Sequence, residues 1–105
     1  MDPIRPYYAY GGIGWAFEMM GRYEEAITYL KKAVAINPTY LPAHLTLVRC
    51  YAALERHDEA RSAAAEVLRL DPEFSAKKFY ISWPYKDQAI KDRYFELSLK
   101  AGLPE

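Results

Sequence analysis

The chain has 105 residues, 51% of them hydrophobic, and its fourteen basic and fourteen acidic side chains cancel. This describes one small domain with enough apolar content to fold, and it argues against a disordered chain, a basic nucleic-acid binder or a binder of anionic membranes. The single cysteine, Cys50, rules out an internal disulfide and a cysteine-rich metal site, and it suits a reducing, cytoplasmic setting.

Met1-Asp2-Pro3-Ile4-Arg5-Pro6 lacks the apolar core of a signal peptide, and the uncharged run from Tyr7 to Phe17 is too short to span a bilayer. From Tyr7 to Met20 apolar side chains recur at Tyr10, Ile13, Phe17 and Met20, the spacing of a helix face, and Gly21 supplies a stop. A second helix is expected over Glu24 to Ile36, ending at Asn37 because the residue before Pro38 is pushed out of the helical region. Pro42 suits the first turn of a third helix whose face holds Leu45, Leu47, Val48 and Tyr51, and Asp58 to Leu70 forms a fourth, stopped at Asp71-Pro72. A fifth unit opens at Phe74, carries Phe79, Tyr80, Ile81 and Trp83, and is cut short by Pro84. Asp87 reads as the N-cap of a last helix, Gln88 to Ala101, with Gly102 and Pro104 as its stop.

These elements repeat. Arg22-Tyr23-Glu24-Glu25-Ala26 stands 34 positions before Arg56-His57-Asp58-Glu59-Ala60, and Asn37-Pro38 stands 34 before Asp71-Pro72. Tyr10, Ile13-Gly14, Ala16-Phe17, Gly21, Tyr23, Ala26, Ala33 and Pro38 fall at the offsets of the tetratricopeptide pattern, which the chain therefore resembles. The second copy keeps Leu47, Cys50-Tyr51, Ala60 and Pro72 but carries Val48, Glu55 and Val67 where the pattern prefers smaller residues or glycine. The small residues Gly14, Ala16, Ala26, Ala33 and Ala60 are expected where helices cross closely. Gly11 and Gly12 have no such explanation and should each cost about 1 kcal/mol of helix propensity.

The resemblance implies an all-α, right-handed superhelix of about six helices in antiparallel pairs, closed by a C-terminal capping helix. It divides a single domain, 1–105, into repeat one (7–40), repeat two (41–74) and a partial repeat three with the cap (75–105). Asp2-Pro3, 35 residues before Pro38, falls where an upstream repeat would end, so a longer array is expected. The tail, Pro84-Tyr85-Lys86-Asp87 and Lys100-Ala101-Gly102-Leu103-Pro104-Glu105, is similar to the ends of tetratricopeptide tails in bacterial adenylate cyclase-like proteins, with Gln88 where those often carry proline.

What the family resemblance implies for function is a non-catalytic protein-interaction scaffold, either the tail of such a cyclase-like protein or a free-standing adaptor holding a peptide against its A helices. The inward offsets of those helices make Tyr8, Trp15, Glu18, Met19, Leu45, Arg49, Phe79 and Trp83 the candidate partner-binding residues, with Trp15 and Arg49 at equivalent positions. Aromatic residues and arginine dominate binding hot spots. The alternative, that the C-terminal segment folds over these residues, stays open. The carboxylate clamp of chaperone-binding members would fall on Gly11, Trp15, Thr46, Ala76 and Tyr80, which lack the needed cations.

His44, His57 and Cys50 read as packing or surface positions, and Glu24-Glu25 and Asp58-Glu59 as helix starts that favour the positive end of the dipole. No phosphate loop, zinc spacing or catalytic triad order appears, so no catalysis, cofactor or metal is expected. On the last helix Ile90, Tyr94, Leu97 and Ala101 form one stripe while Phe95 and Leu99 form another. The second stripe either meets the Trp83-Pro84 loop or serves docking or homo-oligomer formation.

Overall fold

A computed structural model describes residues 6–84 and 86–105. Asp2-Pro3, read above as the end of an upstream repeat, lies outside these residues, as does Tyr85 in the tail motif. The described residues form six helices and no strand: α1 (Pro6–Met19), α2 (Tyr23–Ile36), α3 (Leu41–Ala53), α4 (His57–Leu70), α5 (Ala76–Ile81) and α6 (Gln88–Lys100).

The helix ends follow from local chemistry that recurs with the period. Gly21 adopts a left-handed conformation (φ +76°), which lets the Arg22 amide reach back to the Phe17 carbonyl at 2.9 Å. Glu55, 34 residues on, takes the same turn (φ +59°) although it is not glycine, and Arg56 N–H donates to the Tyr51 carbonyl, also at 2.9 Å. A third copy closes α6, where Gly102 (φ +103°) lets Leu103 N–H reach the Ser98 carbonyl. After the first two turns an arginine opens the next helix: Arg22 grips Glu25 and Arg56 grips Glu59 through paired hydrogen bonds, and Arg56 also reaches Glu24 of the preceding repeat at 3.0 Å.

Helices α1 and α2 pack as one antiparallel pair and α3 and α4 as the next, with α3 seated on α2. Gly14 sets the distance in the first pair, since a Cβ there would lie 2.6 Å from the Leu30 side chain. In the second pair the period places Val48 where Gly14 stands and Ala64 where Leu30 stands, and both are buried. Bulk removed from one helix is returned on the other, which keeps the core filled at native density.

The third helix is buried along ten consecutive residues, Ala43 to Ala52. Its amphipathic pattern implied one inward face. It has two, because α2 and α4 cover one side while α6 and α1 cover the other. Asp87 caps α6 by accepting from the amides of Ala89 and Ile90, and α6 lays Tyr94, Leu97, Ser98 and Ala101 into the interior. Beyond it the chain returns to α5: Ala76 and Lys77 donate their amides to the carbonyls of Pro104 and Glu105, and the Ser75 hydroxyl donates to Glu105 as well. These bonds serve the N-terminal amides of a helix too short to satisfy them itself. The radius of gyration, 12.9 Å, equals that of a compact globule of this length.

The stripe assigned to the inward face of α1 needs correcting. Ile13 and Met20 are 41% and 58% exposed, and Ala16 is exposed too, while the buried residues of the helix are Gly14 and Glu18. Leu47 and Cys50, the counterparts of Ile13 and Ala16, are buried because α2 precedes α3. No described helix stands before α1 to do the same.

Candidate partner-binding groove

The inner face is built by α1, α3 and α5, and α6 occupies half of it. At the centre of the covered half Arg49, 3% exposed, holds Glu18, 4% exposed, through Nε–Oε2 at 2.8 Å and Nη2–Oε1 at 3.0 Å. The guanidinium also donates to Tyr80 Oη at 3.0 Å and Thr46 Oγ1 at 3.2 Å. Ser98 Oγ donates to the Tyr94 carbonyl at 2.8 Å, so its 3.1 Å contact with Tyr80 has the phenol as donor, and the chain of hydrogen bonds runs from α1 through α3 and α5 into α6. The Arg49 guanidinium lies 4.1 Å from the centre of the Tyr94 ring. Burial opposes the charge on Arg49, but the Glu18 carboxylate and the Tyr80 hydroxyl outweigh it and hold the guanidinium protonated. Burial and the same carboxylate push the Tyr94 phenol up.

The other half of the face is open. It forms a groove of about 490 Å³ whose walls include Tyr8, Gly12, Trp15, Tyr40, Phe79 and Trp83. Tyr40 sits edge-on to Tyr7 (5.0 Å) and near Tyr8 (6.3 Å) at one end, and Trp15 and Trp83 lie 6.4 Å apart at the other. Gly11 now has a reason: a Cβ there would come within 2.9 Å of the Tyr40 ring. Gly12 has open space where its side chain would be.

Of the residues expected to meet a partner, Tyr8, Trp15, Phe79 and Trp83 line this groove, with Tyr8 65% exposed. Met19 is exposed but does not line it. Glu18, Leu45 and Arg49 were expected on the concave face as partner-binding residues, with cover by the C-terminal segment left open; they are buried, and Leu45 and Arg49 reach the groove only as part of its lining. The physical reason is α6, which supplies the apolar and hydroxyl partners that an exposed groove would leave to a ligand. Phe95 and Leu99 are half-buried against the core, Phe95 in a shallow recess beside Ile81 and Tyr80 on the far side of α6. The offsets missed Tyr40, which sits in the turn between repeats; the unexplained glycine at Gly11 was its one trace.

His44 is buried with Nε2 donating to the Pro38 carbonyl at 2.8 Å, and His57 is exposed at the start of α4. Burial and the Glu18 carboxylate push the Cys50 thiol up, so at neutral pH it carries no thiolate. Among the described residues no three metal-ligating side chains gather, and no helix is long and apolar enough to cross a membrane.

Paired antiparallel helices with a 34-residue period and an inner groove define a helical-repeat domain. Residues 19–78 match the tetratricopeptide repeat model, and the chain belongs to that family. It is 34% identical over 64 residues to the Drosophila melanogaster "Protein O-mannosyl-transferase Tmtc3", which covers 61% of this chain and 7% of that protein. It is 34% identical over 62 residues to the Danio rerio "Tetratricopeptide repeat protein 17", covering 59% of this chain and 5% of that one. The chain thus spans only a small fraction of the length of these curated relatives.

Proposed function

We propose that the chain is a non-catalytic, cytoplasmic protein-interaction module, a single domain partitioned as 7–40, 41–74 and 75–105, that holds a peptide in the open half of its inner face. The observation that carries this reading is the division of labour on that face. The charged pair is sealed under α6, whereas Tyr8, Trp15, Phe79 and Trp83 line a groove that none of the described residues fills. Concave, aromatic-lined sites with few polar groups are the usual form of a binding pocket.

The test uses a peptide display library selected on the chain, followed by Gly12→Arg. That substitution places a long side chain in open space and removes a helix glycine, so the fold should gain up to about 1 kcal/mol while the groove is blocked. Selected peptides that lose binding to the variant support the reading. Peptides that bind both forms equally, or a library that yields none, count against it.

For the setting, we propose the tail of a larger, cyclase-like bacterial protein. The tail sequence after Pro84 supports the cyclase-like setting, and relatives in which the matching segment is a small part of a long chain support only a larger protein. A gene-level fusion to a catalytic domain is the observation to seek. Self-association is favoured more by the outer face of α1, with Ile13 and Met20 exposed, than by the half-buried Phe95 and Leu99. Light scattering on the native chain and on Ile13→Glu distinguishes these.

A further inference from the structure

The groove has a chemistry more specific than apolar, and resting on its reading as a peptide site, we propose that the segment it holds is a proline-rich stretch in the extended polyproline II conformation. Charge comes first. Among the described residues Arg49 is the only ionised side chain in the groove's lining, and its guanidinium is neutralised from behind by Glu18. Among these described residues a free carboxylate terminus or an acidic peptide would find no unpaired cation, and a basic one no carboxylate. The complementary ligand is neutral.

Shape narrows it further. Along α1 the two aromatic stations, Tyr8 with Tyr40 and Trp15 with Trp83, are seven residues apart in sequence, which is about 10.5 Å at the rise of an α-helix. One turn of polyproline II is three residues and about 9.3 Å, so prolines at i and i+3 reach both stations in one turn. Between the stations Gly11 and Gly12 leave the wall without side chains, except for the Tyr40 ring that leans over Gly11. A stretch of wall bare of side chains between rings at both ends is the form in which aromatic grooves take pre-extended proline segments, whose ring faces stack and whose low chain entropy reduces the cost of binding.

The backbone agrees. A polyproline II segment makes no internal hydrogen bonds, so its carbonyls need donors. Tyr8 and Tyr40, both in the groove's lining, each carry a phenol hydroxyl that can supply one. An amphipathic helix would bring carbonyls already satisfied and would leave these hydroxyls unused.

Three probes decide the matter: acetylated, amidated decaproline; an uncharged amphipathic peptide built to be helical; and an acidic peptide with a free C-terminus. Each is titrated into the full chain and into Tyr8→Ala and Gly12→Arg, following Trp15 and Trp83 fluorescence and calorimetry. The expected result is saturable binding of decaproline alone, weakened roughly tenfold or more by each substitution. Circular dichroism should show both variants folded, since Tyr8 is exposed and Gly12 has space. Failure of decaproline to bind overturns the proposal. If the helical or the acidic peptide binds instead and is lost in Gly12→Arg, the groove remains a peptide site and only the proline assignment falls.

Discussion

Arg49 of α3 and Glu18 of α1 form a two-point ion pair inside the protein, 31 residues apart, where the repeat would have joined positions 34 apart. The counterpart of Arg49 under the period is Trp15, and that of Glu18 is Ala52. The pair is therefore not part of the repeat. It is the point at which the repeat is locked to α6, because Tyr80, Ser98 and Tyr94 continue its hydrogen bonds.

Removing one partner leaves a buried, uncompensated charge. Glu18→Leu or Arg49→Met alone should each cost about 3–5 kcal/mol, while the two combined should cost much less than the sum, since a buried pair often exchanges for apolar residues without loss. Urea denaturation of the four proteins measures the coupling. Strict additivity would mean that the pair does not act as a unit.

The exchange of bulk between repeats makes a second prediction. Gly14→Ala should destabilise by about 1–3 kcal/mol, because its Cβ meets the Leu30 side chain and the Ala26 carbonyl. Gly14→Val with Leu30→Ala copies the arrangement at Val48 and Ala64 and should restore much of what Gly14→Val alone loses. A thermal melt of the single and double variants reads this; a double variant no better than Gly14→Val would show that the two pairs are not equivalent.

Glu55 holds a left-handed turn that glycine holds at Gly21 and Gly102. Glu55→Gly should stabilise the chain by about 0.5–1 kcal/mol, the relief of the Cβ clash less the added freedom of the unfolded chain. The reverse change, Gly21→Glu, should destabilise by a similar amount. Chemical denaturation compares them, and an unstable Glu55→Gly would contradict the strain.

Cys50 predicts a loss of stability in alkali. Its folded pKa lies above the unfolded value, so its contribution is complete below about pH 8.5 and falls as pH rises and the unfolded thiol ionises. Cys50→Ala should remove that part of the decline above pH 8.5. In the native protein the thiol should react with an aromatic disulfide reagent only as fast as the chain opens; rapid native labelling would show that the site is accessible.

Much of the fold was legible because period and helix punctuation are local. Gly21, Pro38, Pro72, Asp87 and Gly102 mark ends by their own backbone chemistry, and α1, α2, α4 and both ends of α6 fall within two residues of them. The sides of the helices were less legible. Ile13 and Leu47 share an offset, yet one is exposed and one buried, because burial depends on whether a helix precedes in space. Arg49 read as a partner-binding residue because of its inward offset; the partners that bury it, Glu18 and Tyr80, are each 31 residues away and share no motif with it. Trp15, Phe79 and Trp83 were found because aromatic side chains at inward offsets line an inner face whether or not part of it is covered.

The central claim is that a peptide enters the open half of the inner face while α6 stays in the other half. Backbone and indole resonances followed during titration with a peptide selected on the chain test it directly, with amide exchange measured at saturation. The account predicts shifts at Tyr8, Gly11, Gly12, Phe79 and the Trp15 and Trp83 indoles, with the amides of Tyr94 to Ala101 as protected as in the unbound protein. Loss of protection in α6, with shifts centred on Arg49 and Ser98, would contradict it by showing that the ligand replaces the helix.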